Sequence, residues 1–250
     1  IKNRKAVEQN LRVTSSKPTV GAWSWGADNQ SVTFRPQTYW PANSKIKVAA
    51  ALKGVEIAPG IYGERDMKAG FKTGAAMVST VDANTLTMTV RKNGKVIRKI
   101  PVTTGKSGFE TRSGIKPIMG KEGTVVMDAA SGGTPVGSAD YYRLTVHYSM
   151  RLTSSGEFLH AAPWSTGSQG RSSVSHGCVG MSTGNAIWLY DQSKVGDVVE
   201  VKNTGRKQDL GNGITEWNVK WAKWLARSKT GEQAVGPEPA AAKPAPAPAL

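Results

Sequence analysis

The sequence predicts a mainly β protein built from two successive β-rich units. Three observations carry that expectation. Residues 1–74 hold several short β-like runs cut by prolines and glycines. Asn93-Gly94 stands between two runs of alternating polarity. Thirteen prolines and 28 glycines supply frequent turns along the chain.

In residues 1–74, Ser-Val-Thr-Phe at 31–34 and Lys-Ile-Lys-Val at 45–48 read as strands, punctuated by Pro36, Pro41 and Pro59. Short strands with regular turn signals suggest a β-sandwich. Trp23, Trp25, Phe34 and Trp40 are its candidate core, since packing is the ordinary role of such aromatics. Residues 75–202 form the second unit. The runs 85–92 and 95–102 flank Asn93-Gly94, and a two-residue turn of that composition predicts a hairpin because both residues reach positive φ. Further strands are expected at 124–127, 142–148 and 198–201, with a short helix at 185–192.

Residues 203–230 are expected to form an extension packed on the second unit. Within it Trp217, Trp221 and Trp224 recur at i, i+4 and i+7, which places them on one face of a helix spanning 214–227. Residues 231–250 hold five prolines and seven alanines without apolar periodicity, and are expected to be a flexible tail.

The formal charge is +15, from 33 basic and 18 acidic residues. Such a balance predicts attraction to polyanions. The basic residues are scattered rather than gathered in a block, which argues against a nucleic-acid arm. No apolar run of about 20 residues is present. The opening Ile1-Lys2-Asn3-Arg4 lacks a methionine and reads as a cut point.

Cys178 is the single cysteine, so neither an internal disulfide nor a multi-cysteine zinc site can form. Two of the three histidines, His160 and His176, lie close to it in sequence, within Phe-Leu-His-Ala-Ala-Pro-Trp at 158–164 and Ser-His-Gly-Cys at 175–178. A thiol with an ordinary pKa of about 8.5 is only a few per cent ionised at neutral pH, so a cysteine nucleophile needs a base. A neighbouring imidazole supplies one. Glycine beside the nucleophile lets the backbone approach substrate and offers N–H groups to a developing oxyanion. Three readings fit these residues: nucleophilic catalysis by Cys178, a zinc site from His160, His176 and Cys178 with no evident fourth ligand, and an inert buried cysteine.

His160 followed by Ser175-His176-Gly177-Cys178 resembles the signature of the L,D-transpeptidases, the YkuD-type catalytic domains. The surroundings resemble the actinobacterial members: Val126-Met127-Asp128, Gly156-Glu157-Phe158, His-Ala-Ala-Pro-Trp at 160–164, Gly167-Ser168-Gln169-Gly170, and the tryptophan run at 217–224. The resemblance spans about residues 1–230 and implies an immunoglobulin-like domain before the catalytic one. It implies Cys178 as nucleophile and His160 as general base, oriented by a backbone carbonyl near Ala161. His176, Gly177 and Cys178 would shape the oxyanion pocket, with Ser175 part of the same motif. Tyr142, Met127, Trp164 and Ser155 match positions lining the substrate tunnel or its flap, against plain packing as the ordinary alternative for the first three.

The implied reaction joins peptidoglycan tetrapeptide stems by 3→3 cross-links, outside the cytoplasm. It needs no metal or organic cofactor, and carbapenems would acylate Cys178. Anionic wall polymers are further expected partners, nucleic acid is not, and the expected state is a monomer. An L,D-carboxypeptidase and a degenerate wall-binding module are the alternatives. The chain departs from the family at Gly180, where an asparagine is frequent, and at Ala161, where some members have serine.

Overall fold

The computed structural model describes residues 1–237. They divide into two compact units, one of Ile1–Gly74 joined by the chain from Lys220 onward, the other of Ala75–Val219.

The first unit opens with the helix Arg4–Gln9, whose N-terminus is capped by the Asn3 side chain accepting from the Ala6 N–H. It then builds two three-stranded sheets. One orders Leu11–Ser15, Lys45–Ala50 and Met67–Lys72; the other orders Glu232–Val235, Thr19–Trp25 and Val32–Pro36. Alternation sets the faces of the first sheet: Val13, Val48 and Ala69 share a row, while Arg12 and Lys68 flank Ala49 on the other side. Val13, Trp23, Ile46 and Val235 form the buried core, with Phe34 and Trp40 packed against it. Trp23 meets Phe34 edge-on at 5.1 Å, and Phe34 stacks on Trp40 at 5.8 Å.

Two expectations for the C-terminal part are corrected here. Glu232–Val235 is a strand pairing antiparallel with Thr19–Trp25, and Val235 is only 4% exposed. The flexible tail expected from 231 therefore does not begin there; residues 238–250 lie outside the described residues. The composition misleads because this strand is held by tertiary contacts. The buried Glu8 carboxylate accepts from the Trp25 indole at 2.6 Å, the Lys229 N–H at 2.8 Å, and the Thr230 N–H and hydroxyl at 2.8 and 2.7 Å. Those bonds deliver the chain to the sheet edge.

The expected continuous helix over 214–227 is also broken. A single 3-10 turn covers Glu216–Asn218, Val219 is extended with ψ 125°, and the α-helix is confined to Trp221–Leu225. Trp217 thus falls in the second unit, and Trp221 and Trp224 in the first. The segment from Lys220 does not extend the second unit. The Arg35 guanidinium covers both Trp221 and Trp224 at 5.1 and 4.8 Å, and the Trp224 indole donates to the Ala22 carbonyl at 2.9 Å.

The second unit contains a five-stranded sheet in the order Lys95–Pro101, Thr87–Lys92, Met77–Asp82, Val198–Lys202, Gly114–Pro117. The expected hairpin is present, with Asn93 at φ 50° and Gly94 at φ 80°. A four-stranded sheet runs Gly120–Asp128, Arg143–Arg151, Phe158–Ala161, Val179–Met181. Met88, Ile100, Ile118, Met150, Leu159 and Met181 are among the fully buried residues of the shared core. The helix Thr183–Gln192 begins two residues before its expected start. Ser182 caps it, accepting from Asn185 N–H, and it buries Ala186 and Leu189.

Candidate active site

Two short, buried strands create the site. Phe158–Ala161 pairs in parallel with Val179–Met181, in a register that sets His160 opposite Gly180. Side chains two residues apart on a strand share a face. Cys178 lies two residues before Gly180, so thiol and imidazole project to the same side. Both line one cavity of about 390 Å³, together with Met127, Tyr142, Trp164, Ser175 and His176. The cavity also takes Thr103, Leu144, Ala162 and Val174, which the sequence reading did not single out. Ala162 follows the histidine directly, but Thr103 reaches the site only because it exchanges backbone hydrogen bonds with Gly180, at 2.9 and 3.1 Å.

His160 is buried, and its Nδ1 lies 2.8 Å from the Ala161 carbonyl. A carbonyl can only accept, so Nδ1 carries the proton and Nε2 is left as a base. Burial pushes the His160 pKa below its ordinary 6.5, opposed by that backbone hydrogen bond. The Trp164 ring stacks on the imidazole with centroids 5.9 Å apart and planes at 25°, while staying 58% exposed.

Cys178 is 7% exposed. Its Sγ lies 3.7 Å from the Gly156 carbonyl oxygen and 4.0 Å from Met127 Sδ. Burial, with Glu157 nearby, pushes the thiol up to about 12, against a backbone N–H from Phe158 and the charge of Lys116. Burial therefore favours the neutral thiol and the neutral imidazole over a preformed thiolate–imidazolium pair.

The turn before the cysteine is held by one hydroxyl. Ser175 Oγ donates to the Cys178 carbonyl at 2.6 Å and accepts from the Gly177 N–H at 3.1 Å. Gly177 has φ +119°, a region side chains disfavour. Its N–H is engaged by Ser175 in this state, so it is not an open oxyanion donor at rest. His176 is wedged between Phe109 and Tyr142, each with ring centroids 4.7 Å away. Its Nε2 is 3.6 Å from Asp140, which also binds the Lys106 ammonium at 2.7 Å. Burial and Lys106 lower the His176 pKa, and Asp140 opposes them. Burial raises that of Tyr142, which stays a neutral phenol.

The expected site residues Gly177 and Ser155 do not line the cavity, and Ser155 is bound elsewhere. It is tied to Asn212, its N–H donating to Oδ1 and its Oγ accepting from Nδ2, both at 2.9 Å. It anchors the turn whose next residue, Gly156, presents its carbonyl to the sulfur. Among the described residues no three of His, Cys, Asp and Glu are grouped to hold a metal ion. The zinc reading of His160, His176 and Cys178 thus has no ligand cluster behind it.

Gly180 stands where a side chain would be crowded. A Cβ there would sit 2.8 Å from Thr103 Oγ1 and 2.9 Å from Ala162 Cβ. Neighbours in this chain leave no room for an unshifted side chain.

Comparison with known proteins places both units in known families. The family model of the L,D-transpeptidase catalytic domain, YkuD, matches residues 76–201, and that of a bacterial Ig domain matches residues 1–56. L,D-transpeptidase 2 of Mycobacterium tuberculosis is 37% identical over 227 residues, 90% of this chain and 55% of that protein. L,D-transpeptidase 1 of the same species is 39% identical over 201 residues, covering 80% of this chain and 74% of that protein. A solved structure of LD transpeptidase LdtMt1 in complex with imipenem superposes with a TM-score of 0.68 at 39% identity, covering 81% of this chain and 87% of that one. The chain thus spans little more than half the length of the first relative and about three quarters of the second. With a YkuD catalytic domain at 76–201, an Ig domain before it and relatives 37–39% identical, the chain belongs to the L,D-transpeptidase family.

Proposed function

We propose that this chain forms 3→3 peptidoglycan cross-links by acyl transfer through Cys178. The observation that carries the reading is the parallel strand pair, which directs His160 and Cys178 into one cavity with Nδ1 of the histidine already committed to Ala161.

The reaction starts from a neutral pair. Cys178 Sγ attacks the carbonyl carbon of the third stem residue of a tetrapeptide donor, and its proton passes to His160 Nε2. Transfer during attack avoids holding a bare thiolate in a buried site. The C–N bond to D-alanine breaks, and the departing amine takes the proton from Nε2. The thioester is then attacked by the side-chain amine of a second stem. That amine gives its proton to Nε2, which returns it to Sγ as the new amide forms. His160 therefore serves as base and acid alternately.

Met127 and Tyr142 confine the acyl group against the sulfur, and Trp164 holds the imidazole plane while forming the exposed lip. Ser175 and Gly177 fix the nucleophile turn, and His176 walls the cavity beside Tyr142. Substrate binding must free an N–H in this turn if Gly177 is to serve the oxyanion. Ser155 acts at a distance, by holding the turn at Gly156.

The family works on the wall, so we place the enzyme outside the cytoplasm, where its net positive charge keeps it near anionic polymers. The same nucleophile is expected to open carbapenems. Incubation with a disaccharide-tetrapeptide donor, alone and with an acceptor stem, tests the reaction by product mass. A cross-linked dimer missing one D-alanine supports transpeptidation. Tripeptide as the sole product in both reactions would instead assign an L,D-carboxypeptidase.

A further inference from the structure

We propose that the buried Lys116–Glu157 pair is a positioning and charge-balancing element behind the Cys178 nucleophile. The proposal rests on the reading of Cys178 as the reacting sulfur.

Lys116 is 0% exposed, in the strand Gly114–Pro117. A buried ammonium is costly to desolvate, and an apolar pair of similar volume is often as stable or more so. Stability alone therefore gives weak grounds for a lysine here. Its ammonium donates to Glu157 Oε2 and to the Arg112 carbonyl, both at 2.7 Å. The other carboxylate oxygen accepts from the Arg112 N–H and guanidinium, both at 3.0 Å. The Glu157 N–H is bound by Thr153 Oγ1 at 2.9 Å. Glu157 is thus fixed at both its side chain and its backbone.

The residues on either side of Glu157 both reach the sulfur through their backbone. Gly156 presents its carbonyl 3.7 Å from Sγ, and Phe158 directs its N–H at it. The Glu157 side chain also packs behind the nucleophile turn, its Cγ 3.8 Å from where a Gly177 Cβ would stand. Holding Glu157 therefore holds both backbone contacts of the nucleophile.

The pair also sets the local charge. Glu157 disfavours a thiolate at Cys178, and Lys116 favours one. Burial lowers the Lys116 pKa, and Glu157 and an ionised Cys178 oppose it, so the coupling between Lys116 and the thiol is reciprocal. Arg112 is occupied by Glu157 and Asp209. The remaining titratable groups about the sulfur are the neutral Tyr142, with Asp128 beyond it, and His160 and His176 of the cavity wall, the latter facing the Lys106–Asp140 pair. Lys116 is the cation that offsets Glu157 on the thiol itself.

The test is the rate of Cys178 alkylation by iodoacetamide against pH, in the native chain, Lys116→Met, Glu157→Gln and the double variant, with folding checked by circular dichroism. Lys116→Met leaves an anion behind the sulfur. Its profile is expected to move at least about one pH unit upward, an approximately tenfold loss of rate at fixed pH. The double variant removes both charges and should return the profile to near its native position. A folded Lys116→Met with a native profile, or a double variant as displaced as Lys116→Met, overturns the proposal. If Lys116→Met does not fold, Glu157→Gln decides: a downward shift there supports the proposal, and an unshifted or upward profile overturns it. Imipenem acylation is followed in parallel. A native chain that alkylates but is never acylated refutes the transpeptidase reading, and the alkylation profiles still decide the role of the pair.

Discussion

Replacing Gly180 by asparagine, the residue frequent in the family, should destabilise this particular chain. The new Cβ would stand 2.8 Å from Thr103 Oγ1 and 2.9 Å from Ala162 Cβ. Ordinary contacts fall near 3.5–4.0 Å, so the deficit is about 0.6–1.2 Å at two points. Neither neighbour retreats freely. Thr103 exchanges two backbone hydrogen bonds with Gly180, and the Ala162 N–H is bound to the Met181 carbonyl at 2.7 Å. Overpacking of this kind costs about 1–3 kcal/mol. For a unit of this size each kcal/mol lowers the melting temperature by about 2–4 °C. Thermal unfolding of native, Gly180→Asn, Ala162→Gly and the double variant measures it. The double variant should be more stable than the sum of the single effects by at least about 0.5 kcal/mol, because removing the Ala162 methyl group opens one of the two contacts. Gly180→Asn with native stability and native acylation rate would refute the claim that packing selects glycine here.

Other expectations follow from the same contacts. Because the folded thiol titrates near 12 and its reference is 9.0, the unfolded chain loses its proton first above pH 9. Native stability relative to Cys178→Ala should therefore fall by about 1.4 kcal/mol per pH unit above 9, measured by urea titration, and a pH-independent difference contradicts a buried neutral thiol. Burial lowers the His160 pKa, so the acid limb of imipenem acylation should have its midpoint below 6.5; a midpoint above that value argues against His160 as base. Glu8→Ala strands the Lys229 and Thr230 N–H groups and the Trp25 indole, and should cost at least about 3 kcal/mol in the N-terminal unit, read by tryptophan fluorescence in urea. A loss under about 1 kcal/mol would mean that other contacts hold the C-terminal strand in place. Trp164→Ala removes the ring stacked on the imidazole and should slow acylation while leaving stability nearly unchanged, since the ring is mostly exposed; equal rates would deny it an orienting role.

Much of the fold was legible because its signals are local. The strands expected at 124–127, 142–148 and 198–201 largely fall on observed strands, and Asn93-Gly94 fixed a hairpin whose turn conformation the backbone itself demands. The strand Glu232–Val235 was not legible, since its order comes from Glu8, more than 200 positions away, and the proline- and alanine-rich composition around it points the other way. The tryptophan stripe obeyed helical spacing, yet Val219 is extended and two of the three rings answer to Arg35 instead.

The site divides in the same manner. Cys178, His160, His176, Tyr142, Met127, Trp164 and Ser175 meet at one cavity, and their residue types carry the chemistry that named them. The parallel pairing of the two short strands is a non-local fact. So is Thr103, which arrives from the end of the hairpin. Lys116 and Glu157 are 41 positions apart, and nothing in either segment marks the pairing. Ser155 matched a family position but lies outside the cavity, where its bonds to Asn212 hold the neighbouring turn.

The most direct test of the central claim is intact-protein mass spectrometry after incubation with imipenem, comparing the native chain with Cys178→Ala. The account predicts a single adduct of the drug's mass on the native chain and none on the variant, as expected for one activated sulfur that accepts an acyl group. A folded native chain that stays unmodified, or a Cys178→Ala variant modified to the same extent, would contradict acyl transfer through Cys178.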